Sequence, residues 1–181
     1  MTAKIETVEV DKVGRISIKD SGERRTFSTG AVRDMQEGKG RCDLMPLYQA
    51  AVLLSLSLDG KQKQFSKALI CLARAQECLN DGNDAEAKKY LNTSLMEFAV
   101  GCRWSLPEML LEVSRQYEDG AKKYGEYNWQ KGIPFNSYID SSARHLLKHA
   151  DNRFDERHDR AFVWNMLSLI WTIDNAEGLD G

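Results

Sequence analysis

The spacing of apolar residues changes character near Pro46. Upstream, Val8, Val10, Val13, Ile16 and Ile18 are β-formers grouped within residues 4–19, with Asp11 to Gly14 as a turn. This predicts a short N-terminal β-hairpin or an arm over residues 1–28. Residues 20–46 are polar, carry Gly22, Gly30, Gly38 and Gly40, and show no periodicity, which predicts a loop. Downstream the period becomes helical. Residues 47–58 form an apolar helix started by Pro46. Residues 64–80 place Phe65, Ala68, Leu69, Leu72, Ala75 and Leu79 on one face, and residues 84–99, capped by Asp84, do the same with Ala87, Tyr90, Leu91, Leu95 and Phe98. The two predict an antiparallel helical hairpin. Ser105, followed by Pro107 and Glu108, starts a helix to Tyr124 with an apolar stripe of Met109, Leu110, Val113, Tyr117 and Ala121. Asn136 or Ser137 caps a helix to Ala150, and a last helix spans residues 157–174. The expected fold is all-α, a bundle of five to six helices behind the N-terminal hairpin or arm.

Composition narrows the function classes. A chain of 181 residues is the length of one domain, and 42% hydrophobic with 29% charged residues is a folded composition. A net charge of −2 provides no basic field for a long nucleic acid but leaves room for a small anion. No apolar run is long enough for a membrane span or a signal-peptide core, so the expected location is the cytoplasm. Cys42, Cys71, Cys78 and Cys102 form no CxxC pair and are expected to be buried free thiols. The run "AAVLLSLSL" is more apolar than a peripheral helix needs, which predicts a homo-oligomer.

Three groups of residues could carry chemistry. His145 and His149 are four apart on one helix, and His158 follows a short loop, so imidazoles and nearby carboxylates could meet at a metal or phosphate site. Arg144 adds a five-donor fork for phosphate oxygens. In the simpler reading His149 only caps a helix end, and Asp159 and Arg160 are solvated. The second group is the stripe Glu108, Glu112 and Asp119, which could hold a hard cation such as Mg²⁺, or could be a solvated face balanced by Arg115. The third is "GAKKYGEYNWQKGIPF", with Lys122, Lys123 and Lys131 among Tyr124, Tyr127, Trp129 and Phe135, a pattern suited to phosphates and stacked bases. Asn165 interrupts the apolar last helix and needs partners if buried.

The segments "TGAVRDMQEGKGRCDLMP" at 29–46 and "GAKKYGEYNWQKGIPFNSYIDSSARHLLKH" at 120–149, followed by His158 with Trp164 and Asn165, resemble a phage-associated family, dATP/dGTP diphosphohydrolase, N-terminal domain. That family is similar to the all-α, Mg²⁺-dependent MazG-type pyrophosphohydrolases, which cleave a nucleoside triphosphate to monophosphate and pyrophosphate. The resemblance implies one helical nucleotide-binding domain over 29–181, with a helical hairpin inserted at about 60–100. It implies catalytic Glu112, His145 and His158. Lys123, Tyr124, Asn128, Trp129, Arg144 and Asn165 would bind a purine deoxynucleotide. Glu112, Asp119, Glu156 and Asp159 would hold Mg²⁺, with Mn²⁺ as the alternative. The location would be the host cytoplasm if the chain is phage-encoded. Two departures stand out: Glu156-x-x-Asp159 has no Glu-x-x-Glu counterpart on the Glu108 helix, and Ala161 replaces a histidine common in the family. Two other readings remain open at this point. One is a nucleotide-binding protein without turnover. The other is a metal-dependent hydrolase of the HD type, built on the adjacent His158-Asp159 with His145 and Asp174.

Overall fold

A computed structural model describes residues 8–10, 16–18, 22–36, 39–57 and 59–175. Six helices follow four short strands: α1 (Leu47–Ser55), α2 (Gly60–Asn80), α3 (Asp84–Cys102), α4 (Leu106–Tyr124), α5 (Phe135–Ala150) and α6 (His158–Asn175). The all-α bundle and the N-terminal hairpin stand as the hydrophobic pattern predicts. β1 (Val8–Val10) pairs antiparallel with β2 (Ile16–Ile18), Val8 opposite Ile18. The expected turn at Asp11 to Gly14 lies outside the described residues.

The loop expected over 20–46 holds a second hairpin. β3 (Arg24–Thr26) pairs antiparallel with β4 (Val32–Asp34), Arg24 opposite Asp34. Arg24–Thr26 and Val32–Asp34 are mostly polar and lack the alternating β-formers that mark β1 and β2. Gly30, at a φ of 81°, takes the left-handed conformation that the turn between them requires. A 3₁₀ turn over Cys42–Leu44 then leads into α1.

Side chains cap the helices where polar residues stand at their starts. Asp59 accepts from Lys61 N at 2.8 Å and so begins α2 at Gly60, four residues before the expected start at 64. Asn83, not Asp84, caps α3, accepting from Glu86 N at 3.3 Å. Asp84 becomes the first helical residue, favourably placed against the helix dipole. Ser105 caps α4 as its spacing predicts. α5 starts at Phe135, directly after Pro134.

Phe65, Leu69 and Leu72 of α2 are fully buried with Leu91 and Phe98 of α3, forming the apolar half of the core. The two helices approach closely at Gly101, where a Cβ would lie 2.5 Å from the Phe65 ring. α5 packs on α6 and also on α2, and α6 reaches α3 and α4. The stripe of α4 is narrower than its spacing suggests: Met109 and Val113 are buried, whereas Leu110 is 51% exposed. On α1, Leu47 and Ala51 are buried while Leu53 and the following Leu56 face solvent. All four cysteines are free thiols and half-buried rather than buried. Among the described residues, no helix is long and apolar enough to cross a membrane.

Candidate functional site

A cavity of about 920 Å³ opens between the β3–β4 hairpin, the C-terminal end of α4, α5, and the N-terminal half of α6. Its wall is rich in cations. Arg25, Arg33, Lys39, Lys123, Arg144 and Lys148 all line it.

These cations differ in how they are neutralised. Arg144 bonds Asp140 Oδ2 at 2.9 Å, and Asp140, almost fully buried, also accepts from Gln36 Nε2 at 2.9 Å and Cys42 N at 2.7 Å. Asp140 thereby ties the segment before α1 to α5. Lys123 pairs with Asp34 at 2.9 Å, and Lys148 with Asp155 at 2.8 Å. Arg33 has only neutral acceptors: Ser137 O at 3.0 Å, Ser141 Oγ at 3.2 Å and Asn165 Oδ1 at 2.8 Å. Among the described residues no carboxylate pairs with it. Burial, with Arg25 and Arg144 nearby, pulls the guanidinium down to about 10, still well above neutrality. Arg33 is thus a desolvated positive charge held by neutral acceptors and by the rings of Tyr138 and Trp164, 5.5 and 5.7 Å away, with no anion beside it among the described residues, a state that an anion in the cavity would relieve.

The aromatic wall consists of Tyr117, Tyr124, Trp129 and Trp164. Trp129 packs edge-on against Tyr117 and Trp171, with ring centroids 5.5 and 4.9 Å away. Burial and the neighbouring Asp34 push the Tyr124 hydroxyl up to about 12. Two amides expected to bind substrate are committed to the fold. Asn128 accepts from Val32 N at 3.0 Å and donates to Val32 O at 2.8 Å, pinning β4 to the 3₁₀ turn Asn128–Lys131. Asn165 donates to Ala161 O at 2.7 Å and accepts from Arg33, so it acts on the cavity by orienting that guanidinium.

At the far end of the cavity, His145 and His158 meet, as their spacing allows. Their Nδ1 atoms are 3.1 Å apart, and Glu156 Oε1 lies 3.4 and 3.3 Å from them. Burial, which outweighs the pull of Glu156, drives His145 down to about 3, so its ring is neutral near pH 7. For Glu156, burial opposes ionisation, but the proximity of both histidines and of Lys148 prevails and brings it down to about 2. His149 does not join them. Its Nε2 contacts Cys102 Sγ at 3.4 Å, and its ring sits between Phe65 and Phe98, so it is a packing residue rather than a helix cap. Burial raises the Cys102 thiol to about 12, which leaves this pair without a reactive thiolate.

The carboxylates expected to hold Mg²⁺ do not form one cluster. Glu112 and Asp159 both face Arg157, at 3.3 and 2.8 Å, and Glu112 also meets Arg115 at 3.1 Å. Asp119 is exposed on α4. Asp174 pairs with Lys88 at the surface. Among the described residues, the one grouping of metal-ligating side chains is His145, Glu156 and His158. Two imidazoles and a carboxylate can hold a metal ion, but they are not the all-oxygen set that Mg²⁺ favours.

Arg33 and Arg25 were not singled out by residue pattern as phosphate ligands. Their strands lack the alternating β-formers that would show an inward face, and the one available signal was the position of Arg33 inside the motif at 29–46.

Fold and cavity together define a helical domain with a basic, aromatic-walled cleft. A family model described as dATP/dGTP diphosphohydrolase, N-terminal, matches residues 79–181, more than half of the chain, and the chain belongs to that family. The matched stretch runs from the end of α2 through α6 and includes the histidine pair, while Arg25, Arg33 and Lys39 lie before it. No curated protein and no solved structure matches the chain.

Proposed function

We propose that this domain hydrolyses purine deoxynucleoside triphosphates to the monophosphate and pyrophosphate. The observation that carries the reading is Arg33, a desolvated cation without a carboxylate partner on the wall of a cavity large enough for a nucleotide. The description of the matched family supports the choice of a purine substrate. In this reading Arg33, Arg144 and Lys123 take the phosphates, and Tyr124 and Trp129 wall the base. Water attacks the α-phosphorus, the bond from that phosphorus to the β-bridging oxygen breaks, and pyrophosphate leaves with the bonding electrons. The proton from the water passes to a non-bridging phosphate oxygen, and Glu156, an anion at neutral pH at the end of the cavity, holds the attacking water directly or through a cation. Developing charge on the phosphates is met by the guanidinium groups. The apolar residues that α1 leaves exposed favour assembly into a homo-oligomer.

Binding without turnover is the second reading. Ala161 favours it, because it lines the cavity where the resembling family commonly carries a histidine. A panel of nucleoside and deoxynucleoside triphosphates, assayed with Mg²⁺ and then Mn²⁺, separates the two. Monophosphate and pyrophosphate in equal amounts, lost in Glu156→Gln, is the expected result. Thermal stabilisation by a nucleotide with no product would leave only the binding reading. Release of intact triphosphate would place the chemistry with HD-type hydrolases.

A further inference from the structure

The contacts between His145, Glu156 and His158 form a nearly equilateral triangle of 3.1, 3.3 and 3.4 Å between single ligand atoms. His158 Nε2 lies 2.8 Å from Asp155 Oδ1. A carboxylate only accepts, so Nε2 carries the proton and, in the neutral ring, Nδ1 presents a lone pair to the triangle. Asp155 is itself held by Lys148 at 2.8 Å. This is the arrangement in which a carboxylate fixes the tautomer and orientation of a ligating histidine.

With its proton on Nε2, His158 turns an acceptor toward the Glu156 oxygen, and a single donor from His145 can serve only one of the two at a time. A cation satisfies all three at once. The edges also match the roughly 3.3 Å between donors that sit about 2.0–2.1 Å from a tetrahedral ion. The site is not closed: His145 and Glu156 line the cavity, and Glu156 is 51% exposed, so further coordination positions face the space assigned to substrate. Three protein ligands with an open side distinguish a reactive metal site from a structural one.

Ligand chemistry then selects the ion. Mg²⁺ prefers six oxygens, whereas two imidazole nitrogens and one carboxylate suit Mn²⁺, Fe²⁺, Co²⁺ or Zn²⁺. We propose that His145, Glu156 and His158 hold one divalent transition-metal ion, in place of Mg²⁺ on a set of carboxylates. The proposal deepens the phosphohydrolase reading and rests on it for the purpose of the ion, while binding itself rests on the triangle. Bound there, such an ion acidifies a water molecule and polarises a phosphoryl oxygen.

The test uses the full chain, stripped with a chelator and titrated with Co²⁺ in the absence of nucleotide, read by visible d–d absorption. One equivalent is expected to bind, to be displaced by equimolar Zn²⁺ and to resist millimolar Mg²⁺. His145→Ala and His158→Ala should abolish the band while Asp119→Asn keeps it. Because buried histidine variants can misfold, Asp155→Asn provides a milder probe. Loss of its orienting charge should weaken Co²⁺ binding about 10- to 100-fold while circular dichroism stays unchanged. No band in the wild type, a band that persists in both histidine variants, or displacement by Mg²⁺ would overturn the proposal. Co²⁺ binding without hydrolysis of any nucleotide would keep the site and sink the hydrolase reading. Mg²⁺-supported hydrolysis by a protein that binds no Co²⁺ would do the reverse.

Discussion

Along the α2–α3 interface the buried residues are almost all apolar: Phe65, Ala68, Leu69 and Leu72 face Leu91, Leu95 and Phe98. Along α5 and α6 the burial is mixed. Ser137, Asp140, Ser141, His158, Asp159, Asn165, Ser168 and Thr172 are buried beside Tyr138, Ile139 and Phe162. The first surface is stabilised by removing apolar area from water. The second offsets the desolvation of most of its polar groups with hydrogen bonds, through networks such as Asp140 with Gln36, Arg144 and Cys42 N, while Ser142 Oγ and Trp164 Nε1 have no such partner. Where bonds alone leave a charge uncompensated, as at Arg33, or leave acceptors facing each other, as at His145, Glu156 and His158, the chain has a place for something it does not itself supply.

Substitutions can break this contrast. Phe98→Ala should have the largest effect on stability, about 3–5 kcal/mol in urea unfolding, from lost packing and a cavity. It should leave Co²⁺ affinity of the folded protein unchanged, and a large change there would show that the two regions are not separate. Asp140→Ala should approach the same cost, about 3 kcal/mol, because half-buried Arg144 loses its partner and Gln36 and Cys42 N lose their acceptor. Unlike Phe98→Ala, it should also alter nucleotide affinity, which calorimetry would read. Gly101→Ala should cost about 1–3 kcal/mol by pressing a methyl group onto the Phe65 ring, measured as a lower unfolding midpoint.

A pH series separates the regions more gently. In metal-free protein His145 is held down to about 3 against an ordinary value of 6.5. As pH falls below about 6.5 the unfolded chain takes up this proton before the folded one. Stability is therefore full above pH 6.5 and is lost towards pH 3, by at most about 1.4 kcal/mol per pH unit for this group. His149, also lowered by burial, adds in the same direction. Between pH 6.5 and 5 the unfolding midpoint should fall, and His145→Gln should make that fall shallower. An unchanged slope would mean that His145 is not the desolvated base described above.

The helices were legible because their apolar residues repeat with helical spacing and because Ser105 stands at a start that needs a cap, whereas the Asp59 cap lies before the apolar face of α2 and outside the repeat. The β3–β4 hairpin was not legible, since its strands Arg24–Thr26 and Val32–Asp34 lack the alternating Val and Ile that mark the equally short β1 and β2, and Arg33 lay hidden with it. The meeting of His145 and His158 was readable from a four-residue spacing and a short loop. That Glu112 would instead turn towards Arg157 was not, because a carboxylate on a polar helix face has several reachable cations and sequence does not rank them. Asn128 shows the same limit: an amide in a glycine-marked connection can recognise a base or close a backbone pair, and the fold determines which.

The central claim, that the cavity binds a triphosphate through a cation left without a carboxylate, is tested most directly by calorimetric titration of a non-hydrolysable purine deoxynucleoside triphosphate analogue into wild type and Arg33→Met. Arg33 has neutral partners only, so its loss should leave the fold intact by circular dichroism and weaken binding about 10- to 100-fold, the worth of charge-assisted hydrogen bonds. Equal affinity for the two proteins, or no binding to either, would contradict the account.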